Sequence, residues 1–182
     1  MPDYGGFGPV FSLDGKTPII APDAFIAPTA AVIGDVVIGS ETGIWFHCLV
    51  RGDMNEIRIG ARTNIQDGTI IHVDSGPFFA HIGDDVTVGH NAVIHACVLK
   101  NRAFVGIAAT VLDGAVIEEG GMLGAGGLLT PGKVIGPNEL WVGSPAKFRR
   151  VMSDEERKGF DRNAEVYRAL AKQFRAGLKS AG

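Results

Sequence analysis

Residues 20–50 read IAPDAFIAPTAAVIGDVVIGSETGIWFHCLV, and an aliphatic side chain returns at every sixth place. The stops are Ile20, Ile26, Val32, Ile38, Ile44 and Val50, all β-branched. The period resumes at Ile59, Ile65 and Ile71, then at Ile82, Val88 and Ile94. It runs on from Leu99 through Val105, Val111, Ile117, Leu123 and Leu129 to Ile135, and the last stop is Trp141. Four places after most stops stands a compact residue, such as Ala24, Ala30, Thr42, Cys48, Thr63, Thr69, Ala92 or Ala109. One place after many stops stands glycine, as at Gly39, Gly60, Gly83, Gly89 and Gly106.

A unit of six residues is too short for a helix pair or a propeller blade. It suits a short strand followed by a tight corner, and three such units make a triangular coil. Inward aliphatic side chains then stack coil on coil at the strand spacing of about 4.8 Å. One coil buries little by itself, so the core exists only as a stack. An ordinary sandwich of alternating strands has period two and does not explain a sustained period of six. Glycine at the corners is expected to take backbone conformations that other residues avoid. The pattern resembles the hexapeptide-repeat proteins, and that resemblance implies an all-β solenoid, the left-handed parallel β-helix. The handedness comes from the resemblance and not from the period.

The flanks change character. Asp14-Gly15 between Val10–Leu13 and Thr17–Ile20 is a hairpin signal, so residues 1–19 are expected to form a hairpin that caps one end of the prism. Residues 20–146 form the β-helix. Residues 147–182 form a linker and a C-terminal α-helix, in one domain overall. Ser153-Asp154-Glu155-Glu156 has the form of a capping box. Phe160, Ala164, Tyr167, Ala171, Phe174 and Leu178 follow at helical spacing.

A net charge of −3 over 182 residues offers no large basic surface for nucleic acid. No stretch reaches membrane-spanning length, and the N-terminus lacks the pattern of a signal peptide. Cys48 and Cys97 sit within repeat units and are expected to pack as small apolar groups. The expected location is cytoplasmic.

The repeat is interrupted three times. Three extra residues lie between Val50 and Ile59, five lie between Ile71 and Ile82, and one is missing between Ile94 and Leu99. Interruptions in a solenoid become outside loops, where function gathers. Counting stops around three faces puts Arg51, His72 and His95 on one face in successive coils. Asp67 and His90 stack on another, with Gln66 beside Asp67. Two histidines one coil apart can converge on one metal ion. His90 is the obvious third ligand but projects from a different face, so a complete site would need three prisms side by side.

The chain resembles the gamma-class carbonic anhydrase family through Arg51-Gly52-Asp53, Asn64-Ile65-Gln66-Asp67-Gly68, His72, Val88-Gly89-His90 and Ile94-His95. The resemblance is closest to the bacterial carnitine-operon and phenylacetate-degradation-like branch, through Gly143–Lys147 and Ser153–Glu156. It implies a homotrimer with metal ligands His72, His90 and His95, His90 coming from the adjacent subunit. It implies Zn²⁺, with Fe²⁺ or Co²⁺ as other candidates. It further implies an ion pair between subunits from Arg51 and Asp67, and Asp53 and Gln66 as catalytic groups that orient water or substrate. The implied reaction is reversible hydration of carbon dioxide to bicarbonate by hydroxide generated on the metal. The chain departs from the best-known active form of that family at Met54, where that form carries a glutamate, and in the short loop 73–81, where it carries a long acidic one. The short loop leaves Asp74 and His81 as candidate proton shuttles, and the missing carboxylates imply slow hydration. Alternatives are hydrolysis of acyl-CoA thioesters, hexapeptide acyl transfer, and a non-catalytic trimeric scaffold.

Overall fold

The computed structural model describes residues 8–179. These residues form a left-handed parallel β-helix of about seven turns with one C-terminal helix. Most strands have two or three residues, and each pairs in parallel with the strand one coil away. Ala31–Ile38 and Leu49–Ile59 are longer. They run unbroken around a corner, so two faces merge into a 12-stranded sheet, while the third face is an 8-stranded sheet.

The aliphatic stops fill the interior. Val32, Ile44, Val50, Ile65, Ile71, Val88, Ile94, Val105, Val111 and Ile117 are all fully buried. Burying one such side chain contributes roughly 1.5–3 kcal/mol. The compact residues four places on are buried too, including Ala24, Ala30, Thr42, Cys48, Thr63 and Thr69. The threonines need hydrogen-bond partners there. Hydroxyls of Thr42, Thr63 and Thr69 donate to the carbonyls of Gly60, Gly83 and Gly89, at 2.7, 2.8 and 3.1 Å. Burial pushes the Cys48 thiol up to about 12, and burial followed by the charge of Asp113 pushes Cys97 up as well. Both cysteines behave as small buried groups.

The glycines that follow the stops act differently from the expectation. The left-handed backbone falls three places after the stop, at Glu41, Arg62, Asp85, Asn91 and Arg102, with φ between 55° and 62°. Gly39 and Gly60 face each other in adjacent coils instead. A Cβ on Gly39 would lie 2.6 Å from the carbonyl carbon of Gly60. Glycine is needed at that place for close approach of two backbones rather than for an unusual φ.

The flanks also differ from expectation. Of residues 1–19, positions 1–7 lie outside the described residues. Leu13 and Lys16 exchange backbone hydrogen bonds of 3.0 and 2.9 Å around Asp14-Gly15, so the tight turn is present. The strands beyond it do not pair as a hairpin. Val10–Phe11 and Ile19–Ile20 both add in parallel to Ala31–Ile38. The open edge of the first coil offers more hydrogen-bonding groups than a two-residue partner could. At the other end, Lys147–Val151 is a strand rather than a linker, antiparallel to Glu139–Val142.

The helix Asp154–Gly177 begins with the expected capping box between Ser153 and Glu156. It lies along the 8-stranded sheet. Phe174 meets Phe25, Trp45 and Phe46 edge-on at centroid distances of 6.0, 5.3 and 6.0 Å, and Tyr167 meets Trp45 at 5.4 Å. No helix among the described residues is long and apolar enough to cross a membrane.

Candidate metal centre

The predicted ladder forms. Arg51 pairs with His72, and His72 with His95, in the register of Leu49–Ile59, Ile70–His72 and Val93–His95. All three follow a buried stop by one place, so their side chains point outward from the same sheet. Nδ1 of His72 lies 3.1 Å from Nε2 of His95. The outer nitrogen of each ring meets a carboxylate. His72 Nε2 lies 3.0 Å from Asp53 Oδ1. His95 Nδ1 is hydrogen-bonded to Asp113 Oδ1. Arg51 forms an ion pair with Asp53.

The imidazoles are partly open to solvent, at 18% for His72 and 28% for His95. Burial opposes ionisation of Asp53. The hydrogen bond from His72 and the charge of Arg51 outweigh it and hold the carboxyl below its ordinary range.

A second group stands at the corners that follow Asn64–Ile65 and Thr87–Val88 of the 8-stranded sheet. His90 Nδ1 lies 3.0 Å from Asp67 Oδ2, and His90 Nε2 lies 3.3 Å from the Tyr167 hydroxyl. Gln66 is 5% exposed and donates from Nε2 to Asn64 Oδ1 at 3.0 Å; Asn64 in turn donates to Thr87 Oγ1 at 2.9 Å. Burial, then the charge of Asp67, raises the Tyr167 phenol above its ordinary value.

A third group surrounds the loops. His81 Nε2 lies 2.7 Å from Glu56 Oε1, and its ring meets that of Phe79 at a tilt of 37° and a centroid distance of 4.1 Å. Asp74 accepts from the backbone of Ser75 at 2.6 Å. Met54 is 54% exposed.

Thus one chain brings together Arg51, Asp53, His72 and His95. It sets Gln66, Asp67 and His90 at the corners that follow Asn64–Ile65 and Thr87–Val88 of the other sheet. Arg51 pairs with Asp53, and Asp67 with His90, rather than with each other. No three His, Cys, Asp or Glu among the described residues are grouped so as to hold a metal within one chain.

Three residues escaped the sequence reading. Asp113 carried little signal, because the residue missing between Ile94 and Leu99 shortens the coil from Ile94 to Val111 to 17 residues, so the register sets Leu112 rather than Asp113 beside His95. Glu56 lies in the first interruption but faces His81 across a coil. Tyr167 read as an apolar helix position, and its contact with His90 depends on how the helix docks.

No protein-family model matches the chain. Curated relatives do. The chain is 48% identical over 161 residues to the mitochondrial gamma carbonic anhydrase 2 of Arabidopsis thaliana, covering 86% of this chain and 58% of that protein. It is 44% identical over 172 residues to a carbonic anhydrase of Geobacillus kaustophilus, covering 90% of this chain and 93% of that protein. The chain therefore spans less than two thirds of the plant relative and nearly all of the bacterial one. A Bacillus cereus crystal structure described as an acetyltransferase is similar with a TM-score of 0.91 and 39% identity, over 93% of this chain and 98% of that one.

Proposed function

Because the chain belongs to the gamma carbonic anhydrase family, we propose that it is a metal-dependent hydratase that interconverts carbon dioxide and bicarbonate. The observation that carries this reading is the His72–His95 pair. Two nitrogens bonded tetrahedrally to zinc at about 2.0–2.1 Å stand about 3.3 Å apart. The 3.1 Å separation of these two rings is close to that. The donor chemistry also suits, since imidazole serves Zn²⁺ and Fe²⁺.

Two imidazoles from one chain would be completed by His90 of a neighbouring copy. His90 is partly exposed at the corner after Thr87–Val88, so three prisms packed side by side would bring the two groups together in a homotrimer. Arg51 and Asp67 stand on the two faces that would meet, and pairing between subunits would draw each from its present partner. When bound, the metal would supply Lewis acidity that makes water a nucleophile near neutral pH.

The remaining work falls to this chain. Asp53 and Arg51 hold the His72 ring from outside, and carboxylates in that position tune ligand imidazoles. Gln66, fixed by Asn64, would present its amide oxygen to substrate or water. Proton release has no carboxylate at Met54. His81 and Glu56 hold each other at 2.7 Å and neither bonds the His72–His95 pair, so solvent buffer would collect the proton. The free, buried Cys48 and Cys97 suit a reducing compartment such as the cytoplasm.

The test is stopped-flow hydration by protein loaded separately with Zn²⁺, Fe²⁺ or Co²⁺. Hydration should depend on metal and rise with imidazole concentration, because a positioned proton acceptor contributes typically about 10²–10⁴-fold and buffer can replace one. Absence of hydration at every buffer concentration would overturn the reading. Turnover of acetyl-CoA by the same preparation would then favour acyl chemistry, in line with the description of the Bacillus cereus neighbour.

A further inference from the structure

We propose that Asp113 is a positioning residue that sets the tautomer of His95. Its carboxylate accepts a hydrogen bond from His95 Nδ1. A carboxylate only accepts, so the ring proton must sit on Nδ1. The lone pair of Nε2 is then left facing His72 Nδ1 at 3.1 Å. Which nitrogen of an imidazole can bind a metal is decided by the hydrogen bond that the other nitrogen makes.

The frame behind Asp113 is rigid. Leu112 N donates to Leu129 O at 3.1 Å, Gly114 N to Ala96 O at 2.8 Å, and Gly132 N to Asp113 O at 2.9 Å. Gly114 turns the corner with a φ of 66°. The carboxylate is therefore held from the coil below while the imidazole projects from the coil above. A preorganised support of this kind fixes a ring more tightly than a loop residue could. Both side chains are about a third exposed, so the pair by itself adds little to stability. Its consequence is the orientation of His95.

The arrangement is symmetric across the two rings. Asp53 meets the outer nitrogen of His72 as Asp113 meets that of His95. The two supports differ in origin. Asp53 lies in the first interruption of the repeat and is also held by Arg51. Asp113 belongs to an uninterrupted coil and has no arginine on it among the described ion pairs.

The metal arm of the test rests on the function proposed above, and the tautomer arm does not. Metal-free full-length protein is labelled with ¹⁵N-histidine, and the His95 signals are assigned with His95→Gln. In the wild type, His95 Nδ1 should resonate as a protonated nitrogen and Nε2 as an unprotonated one. Asp113→Ala should move His95 toward the Nε2-protonated form. Asp113→Asn keeps an accepting oxygen and should retain the wild-type pattern. In chelator competition, Asp113→Ala should weaken Co²⁺ binding about 10–100-fold, and Asp113→Asn should recover most of that loss. A wild-type His95 spectrum in Asp113→Ala would overturn the proposal. Failure of the wild type to bind Co²⁺ would overturn the metal reading of the site, while the spectra would still decide what Asp113 does to His95.

Discussion

The hydroxyl oxygen of Tyr167 lies 3.3 Å from Nε2 of His90, and the other nitrogen of the same ring lies 3.0 Å from Asp67. The C-terminal helix thus touches the one candidate ligand that stands at a corner of the 8-stranded sheet, away from the His72–His95 pair. With Nδ1 taken by Asp67, Nε2 is the nitrogen left for a metal, and Tyr167 competes for it.

Tyr167→Phe should therefore strengthen metal binding. The ring would keep its edge-on contact with Trp45 at 5.4 Å and lose only the hydroxyl. One hydrogen bond is worth about 0.5–1.5 kcal/mol net, which corresponds to roughly two- to tenfold in affinity. Chelator competition with Co²⁺ measures it. Weaker binding would mean that Tyr167 supports His90 rather than competing for it.

The stacked core predicts a sharp contrast between two isoleucines. Ile94 is fully buried, whereas Ile107 is 54% exposed. Ile94→Ala should cost about 2–5 kcal/mol by loss of transfer energy and by leaving a cavity. Ile107→Ala should change stability by less than about 0.5 kcal/mol. Urea unfolding followed by circular dichroism separates the two, and equal midpoints would contradict the stacked core.

Gly34→Ala should be more damaging than its size suggests. Gly34 has a φ of 78°, and a Cβ there would lie 2.3 Å from the carbonyl oxygen of Gly52. A left-handed non-glycine residue costs about 1–3 kcal/mol even without a clash. Gly52 lies between Arg51 and Asp53, so displacement of its strand should also disturb the carboxylate on His72. Both a lower melting temperature and weaker Co²⁺ binding are expected; an unchanged melting temperature would count against this backbone contact.

The helix cap should fail in acid. Hydrogen bonds from Arg150, then from the backbone and hydroxyl of Ser153, hold the Glu156 carboxyl down to about 2 from an ordinary 4.5. A carboxyl depressed in the folded state contributes stability above its unfolded pKa and loses it as pH falls through the folded one. Helix stability should therefore decline from about pH 4.5 toward pH 2, and Glu156→Gln should flatten that decline. Ser153→Ala should cost about 0.5–2 kcal/mol at neutral pH. Thermal melts at far-ultraviolet wavelengths, taken across that pH range, test both.

The solenoid could be read from the sequence because a coil makes one strict demand, an aliphatic side chain at each inward stop. Arg51, His72 and His95 could be stacked on paper for the same reason. The corners were not legible in the same way. Glu41, Arg62, Asp85, Asn91 and Arg102 share a left-handed backbone but no side-chain type. Gly39 looked like a turn residue, whereas a neighbouring backbone 2.6 Å from its absent Cβ is what excludes larger residues. The turn at Asp14-Gly15 is a local feature and was legible; the pairing of its flanks with Ala31–Ile38 is not local. Asp113 stands one place past Leu112, the residue that the register sets beside His95, so counting along the ladder does not reach it. Tyr167 was missed because helical spacing says which face is apolar and not what stands opposite.

Mixing two defective chains tests the shared site most directly. His90→Ala keeps His72 and His95, and His95→Ala keeps His90. Neither variant alone should hold metal at the site. Refolded together in equal amounts as random trimers, they should recover metal at about a quarter of the sites, wherever a complementary pair of faces meets. Recovery near that share, measured as bound Co²⁺ per chain, is the predicted result. No recovery in the mixture, or full occupancy in His90→Ala alone, would contradict a metal centre shared between subunits.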